Sequence, residues 1–493
     1  MTTSERPHLA VVGAGPAGLA AALAAAARGV RVTLLDAAEQ AGGQFYRQPA
    51  AALGARRPQA LHHQWRTWER LRAGLDRQLA AGHVRHLPDH HVWCVDRTNG
   101  SDRVDTTDGI DGTDRTDGVR SPTSGGAFAV HALRGPLQEE GVTVRADAVL
   151  LATGGYERVL PFPGWTLPGV VTAGGAQAML KGGLVLPGRT VVVAGTGPLL
   201  LPVACGLAAA GARVAALVES ADPKALPRHA RALAAQPGKL AEGARYAGLL
   251  LRHGVRTLTR HAVVEAHGAD RLTAVTVAAL DRDGGLVAGS ARRIPCDTLA
   301  VGHGMLPHTD LAETLGCALS QTGVRVDGEQ RTDVPGIWAA GEATGIGGAA
   351  PALAEGHIAG RSVAARLHGT PPDPRRWAGA ARARGRLREF SAALDALYAP
   401  PAGWAARITD DTVVCRCEEV TAGQVRTSVD VLGAGDPRTV KLLTRAGMGW
   451  CQGRVCGPAV AALSGCPPTP GRRPFARPVP LGVLAELPED EPD

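Results

Sequence analysis

Aromatic residues are nearly missing from this chain of 493 residues: Phe, Trp and Tyr together make up 3%. An aromatic-rich core is thereby excluded, and Ala, Val and Leu must fill the interior. Lysine is scarce too, so the net charge of +7 is carried almost wholly by arginine. No basic run of five residues occurs, and no basic segment is interleaved with aromatics. The excess reads as dispersed surface charge and gives no nucleic-acid footprint. Cys94, Cys205, Cys296 and Cys317 stand far apart, with no C-x-x-C or C-x4-C spacing. None of these four therefore offers the close cysteine pair of a disulfide reductase, and each reads as a small buried hydrophobe. A convincing membrane span is also lacking. Segments 9–27 and 190–212 are uncharged, but each carries a Gly-Pro break directly after a β-branched run. They read as strand, tight turn and helix inside a protein, not as a bilayer span. The n-region of a signal peptide is weak, with Arg6 beside Glu5. A cytoplasmic protein with reduced thiols is expected.

At ~150 residues per domain, the length suggests about three domains. "LAVVGAG", "PAGLAAALAAAARG" and "RVTLLD" make a strand, a helix and a strand, and a similar unit starts near residue 190. Residues 97–126 are low-complexity Asp, Thr and Gly and read as a disordered insert. The expected partition is a first dinucleotide-binding part over 1–185, a second over 186–290 and a return to the first over 291–370. A linker with a helix over 371–410, a cysteine segment over 411–466 and a Pro-rich tail over 467–493 complete it. The tail's Val479, Leu481, Val483 and Leu484 are expected to pack on this chain or on a partner.

The first loop is Gly13-x-Gly15-x-x-Gly18, and Asp36 ends the next strand. Gly13 permits the turn, Gly15 lets a pyrophosphate approach the backbone, and Gly18 lets helix and strand pack. The helix N-terminus favours the phosphate charge, and Asp36 is placed to accept from a ribose. The second loop is Gly195-x-Gly197-x-x-Leu200, with Glu219 at the end of its following strand. The third glycine is missing, so helix and strand are pushed apart. Glu219 would repel a 2′-phosphate, which favours NAD(H) over NADP(H). A structurally held adenine nucleotide and an empty site stay open.

Cys415-x-Cys417 and Cys451-x4-Cys456 bring four thiols into one C-terminal segment. Four cysteines suffice for a [2Fe–2S] cluster. The C-x-C spacing fits a zinc ribbon poorly, so iron–sulfur is favoured over structural zinc. Arg416, Lys441, Arg445 and Arg454 would offset thiolate charge, and nearby glycines offer backbone N–H groups to sulfur. Cys466 lies outside the spacing and is not expected to be a ligand. A flavin takes electrons in pairs and a cluster takes them singly, so one chain holding both would be a two-to-one converter.

The order Gly42-Gly43-Gln44, Ala152-Thr153-Gly154 and Gly341-Glu342 resembles α/β flavoproteins with two dinucleotide-binding domains, the nicotinamide-type domain inserted in the FAD domain. The resemblance implies FAD held by Gly13, Gly15, Pro16, Gly18, Asp36, Gly43, Gln44, Thr153 and Gly154. It places Gly341 and Glu342 near the ribityl and phosphates. The usual acid there is Asp, and Glu342 also suits a helix N-terminus. "GGQFYRQ", "ATGGYERVLPFPGW", "AGEATGIGGA", "CRCEEV" and "TRAGMGWCQGRVCGP" together resemble the alpha subunits of FAD-dependent amine and amino-acid dehydrogenases. These are the opine oxidase, hydrogen cyanide synthase and hydroxyproline or proline dehydrogenase types. The C-terminal part is similar to a small, mainly α, bacterioferritin-associated-ferredoxin-like [2Fe–2S] domain. The resemblance implies a separate D-amino-acid-oxidase-like beta subunit with the amine site, and in some complexes a ferredoxin-like gamma subunit. No catalytic residue for amine oxidation is expected here. His303 and His357 read as structural. Two other roles stay open: a stand-alone NADH-dependent flavin reductase, and an assembly subunit with a structural adenine nucleotide.

Overall fold

The run His-Leu-Ala-Val-Val forms the strand His8–Val12, buried along its whole length. A continuous apolar run is what a parallel strand covered on both faces requires. In the computed structural model, which describes residues 6–62, 64–98, 127–135, 137–466 and 473–486, this strand is the centre of a five-stranded parallel sheet. Arg31–Leu35 and then Val84–Leu87 lie on one side, and Ala148–Leu151 and then Ile337–Ala339 on the other. Leu9, Val11, Leu34 and Leu150 are fully buried. Each such side chain is worth ~1.5–3 kcal/mol relative to exposure.

The helix Pro16–Ala26 crosses the helix Ala349–Leu367 at very short range. A Cβ on Gly356 would stand 2.1 Å from the carbonyl oxygen of Ala17, and one on Gly360 would stand 2.3 Å from that of Ala21. Two glycines four residues apart therefore let the helix backbones touch, which fixes the N-terminus of Pro16–Ala26 over the sheet.

A second parallel sheet runs Thr257–Thr259, Arg213–Glu219, Thr190–Gly195, Thr298–Gly302, Val170–Thr172. It draws Val170–Thr172 and Thr298–Gly302 from outside the expected 186–290. Val170–Thr172 is only three residues long and carries no periodicity to announce it. The two passes of chain between the sheets lie side by side as Gly155–Glu157 paired antiparallel with Met305–Pro307. Antiparallel three-stranded layers, His91–Arg97 with Phe128–Arg134 and Glu140–Ala146, and His261–His267 with Ala274–Ala279 and Arg292–Pro295, accompany the two sheets. Arg97 ends a strand and Thr98 follows it; the rest of the 97–126 insert lies outside the described residues.

After residue 370 the chain forms the long helix Ala378–Leu397 and then a small, mainly helical unit. Val413–Cys415 pairs with Val420–Thr421, and the helices Ala422–Asp430, Pro437–Thr444 and Gly457–Ser464 close around Val414, Val425, Val440 and Ala459. Thr421 and Gln424 form a reciprocal capping box on the first helix. Asp436 caps the second by accepting from the amides of Arg438 and Thr439. The tail packs on this chain: Phe475, Val479, Val483 and Leu484 cover Trp93, Cys94 and Leu133, while Leu481 is 82% exposed. Among the described residues, no helix is long and apolar enough to cross a membrane.

Candidate dinucleotide and iron–sulfur sites

At the first loop, Gly13 adopts φ +105° and donates its N–H to the Leu35 carbonyl at 2.7 Å. A Cβ on Gly18 would lie 1.8 Å from the Gly13 oxygen, so the turn and helix start tolerate no side chain there. Pro16 occupies the first helical turn, where a missing N–H costs nothing. Asp36 accepts from the amides of Ala14 at 3.0 Å and Ala38 at 3.1 Å. Burial raises its pKa, and these amides oppose the shift. About two of its four lone-pair positions remain for ribose hydroxyls. A Cβ on Gly43 would come 2.7 Å from the Gly15 Cα. The two loops therefore make one bare backbone cradle at a helix N-terminus, which fits the pyrophosphate of FAD.

Thr153 donates its hydroxyl to the His308 carbonyl at 2.7 Å, and nothing stands within 4 Å of the place a Gly154 Cβ would take. Gln44 is exposed and turned toward Arg47, which donates to its Oε1 at 2.8 Å. Gly341 donates its N–H to Glu355 at 2.9 Å. Glu342 is half-buried; desolvation raises its pKa, and it accepts from the Gly348 amide at 3.3 Å. Gly348 is the N-cap of the helix Ala349–Leu367, so one oxygen of Glu342 serves that helix terminus.

Sequence reasoning missed the pair behind this loop. Glu355 is 1% exposed and takes Arg388 Nε at 2.7 Å and Nη2 at 2.8 Å. Arg388 also donates to Thr344. The helix Ala378–Leu397, within the segment expected to hold a linker and a helix, thus locks the Gly341 loop from behind. An arginine within an Arg-rich helix carries no local signal for this.

At the second loop, Gly195 and Gly197 both have positive φ. Glu219 accepts from the Gly197 amide at 3.1 Å and the Ala221 amide at 2.9 Å. Burial pushes its carboxyl up to about 7. The first-loop equivalent, Asp36, reaches only to Ala14; the longer Glu219 side chain takes the amide one residue later. His303 shares its Nδ1 with the Thr196 hydroxyl at 3.3 Å, and burial lowers its pKa to about 4. His357 is lowered by burial as well, on the helix Ala349–Leu367.

The C-terminal thiols meet two by two. Cys417 Sγ is 3.9 Å from Cys451 Sγ, and Cys456 lies against Cys415. Cys415 and Cys456 are buried, Cys451 is half-buried and Cys417 exposed. Burial raises the Cys456 thiol. Two pairs suit a binuclear cluster, in which each iron takes two thiolates. Gly449 packs on Cys417, where a Cβ would be 2.1 Å from the Cys417 Cβ. Cys466 instead faces the Gly435 carbonyl at 3.2 Å. Cys94, Cys205, Cys296 and Cys317 are buried free thiols.

Fold and sites together define a two-dinucleotide flavoprotein joined to an iron–sulfur domain. The model of the pyridine nucleotide-disulphide oxidoreductase family matches residues 7–360, and that of the BFD-like [2Fe–2S] binding domain matches 413–463. The chain belongs to the pyridine nucleotide-disulphide oxidoreductase family, in the group that carries this C-terminal domain. It is 35% identical over 463 residues to hydrogen cyanide synthase subunit HcnB of Pseudomonas aeruginosa, covering 90% of each chain. It is 31% identical to one of the opine oxidase subunits of Rhizobium meliloti, covering 97% of this chain and 87% of that one. L-proline dehydrogenase from P. horikoshii shares the fold, with TM-score 0.64, 20% identity and coverage of 98% of this chain and 81% of that one. The chain is accordingly a flavin- and [2Fe–2S]-dependent oxidoreductase of the amine dehydrogenase type.

Proposed function

We propose that this chain is the electron-transferring alpha subunit of a hetero-oligomeric amine or amino-acid dehydrogenase, of the opine, glycine, proline or hydroxyproline type. When bound, FAD exchanges electrons in pairs and the cluster exchanges them singly. The residues of this chain hold and insulate those groups. Gly13, Gly15, Gly18 and Gly43 form the pyrophosphate cradle, Asp36 receives the ribose, and Thr153, Gly154, Gly341 and Glu342 border the flavin region. Cys415, Cys417, Cys451 and Cys456 are the cluster ligands. The observation that carries the reading is the two-by-two meeting of these thiols on a chain with a complete first dinucleotide loop.

The amine site belongs on a D-amino-acid-oxidase-like beta subunit, and a small ferredoxin-like gamma subunit suits the exposed Cys417 side. That relatives are named as subunits supports partner chains. The test is anaerobic purification followed by flavin and acid-labile sulfide determination. Reconstitution with a beta-type partner and assay on glycine, proline, hydroxyproline and opines would follow. A colourless chain without sulfide, or activity of the partner unchanged by adding this chain, would end the proposal.

A further inference from the structure

In an open parallel sheet, a dinucleotide binds outside the carboxyl ends of the strands, where the strand order reverses. In the second sheet that place lies between Thr190–Gly195 and Thr298–Gly302. The Thr196 amide bonds the Gly302 carbonyl there at 2.7 Å, and Thr196 meets His303. A nucleotide entering would need the amide of Gly197 and free space above it.

Both are taken by the chain itself. Glu219 holds the Gly197 amide. The Cβ of Tyr398, just past the helix Ala378–Leu397, stands 3.9 Å from the place a Gly197 Cβ would occupy. Arg158 and Arg407 both lie within electrostatic reach of His303. Arg416, between two of the cysteines, walls a cavity whose other sides include Arg158, Thr172, Val301 and His303. The Trp165 indole then pins this segment by donating to the Val413 carbonyl at 2.6 Å. That cavity, on the Val170–Thr172 side of Thr298–Gly302, measures about 320 Å³. Leu200, in place of the third glycine, is 1% exposed and fills the helix–strand contact.

The geometry points to a converted crevice: residues 398–416 occupy the second dinucleotide site, which seats the cysteine domain and takes no nicotinamide dinucleotide. This deepens the proposed function, since electrons then enter from the partner's amine and not from NADH. It rests on that reading only for what the seated domain carries.

The test uses the full chain. NADH and ADP-ribose are titrated to millimolar concentration, with binding followed by NADH fluorescence and calorimetry. Amide hydrogen exchange is compared between the wild-type chain, Tyr398→Gly and Trp165→Phe. No saturable binding is expected to the wild-type chain. Exchange over 195–200 and 398–416 is expected to rise together in the variants, about fivefold for Trp165→Phe, the effect of one lost hydrogen bond. Trp165→Phe leaves little hole, so it serves if Tyr398→Gly does not fold. Saturable nucleotide binding by the wild-type chain, or unchanged exchange over 195–200 in the folded variants, would overturn the inference. Both readouts are independent of bound iron, so a chain lacking sulfide would refute the proposed function and leave this result standing.

Discussion

Asp310 Oδ2 accepts from Arg454 Nε at 2.9 Å, and this bond ties the iron–sulfur loop to the flavoprotein body. Arg454 lies between Cys451 and Cys456, while Asp310 follows the strand Met305–Pro307 that returns from the second sheet. Arg473 of the tail reaches the other oxygen of Asp310 at 3.0 Å, and His308 lies 3.1 Å from Oδ2. One carboxylate thus joins a domain connection, the cysteine loop and the tail.

Asp310→Asn should loosen all three. The side chain is 16% exposed, and its loss strands two guanidiniums. A cost of about 2–3 kcal/mol is expected, because breaking a partly buried pair leaves its partner uncompensated. Urea unfolding followed through the visible absorbance of the cluster would read it. An unchanged midpoint would show that the carboxylate does not hold the loop.

The same group predicts an acid transition. Burial acts to raise the Asp310 pKa, but the His308 hydrogen bond and Arg454 outweigh it and bring it from 3.8 to about 2. A carboxyl held below its ordinary value stabilises the fold above that value and loses its contribution as protons bind. The stability gap between the wild-type chain and Asp310→Asn should therefore be full at pH 5 and shrink between about pH 4 and 2. Denaturation midpoints across that range would check it.

Gly356→Ala and Gly360→Ala should each destabilise. Alanine in a helix interior is ordinarily worth ~0.5–1 kcal/mol over glycine. Here the added methyl meets the Ala17 or Ala21 carbonyl and forces the helices apart. A net loss of about 1–3 kcal/mol is expected from overpacking, with weaker FAD retention. Flavin fluorescence released on mild heating is the measurement, and equal release from the variants and the wild-type chain would contradict the packing.

Among the C-terminal cysteines, Cys415→Ser and Cys456→Ser should abolish acid-labile sulfide. Cys466→Ser should leave iron and sulfide at the wild-type level, since its thiol faces the Gly435 carbonyl. Iron analysis of the three variants separates ligand from bystander; loss of iron in Cys466→Ser would require a different ligand set.

How much could be read from the chain beforehand depended on whether the signal was local. Gly13, Gly18 and Asp36 were legible because a tight turn, a backbone contact and a strand-end acid each demand one residue type at a fixed offset. The cysteine spacing was legible for the same reason. Val170–Thr172 was not, because three residues hold no period and sheet membership is decided by a distant neighbour. Arg388 and Tyr398 were not, because their roles arise where one helix crosses two separate loops. The tail was half legible: Val483 and Leu484 announced an apolar contact, but only the fold supplied Trp93 as the surface they cover.

The interleaving of the two sheets also orders synthesis. Every strand of the second sheet has been made by residue 302, whereas the first waits for Ile337–Ala339 and then for the helix Ala349–Leu367. Domains generally close as units while the ribosome is still working. The inserted sheet therefore has the means to form first, and the flavin cradle becomes rigid only when a late helix docks onto one of the earliest.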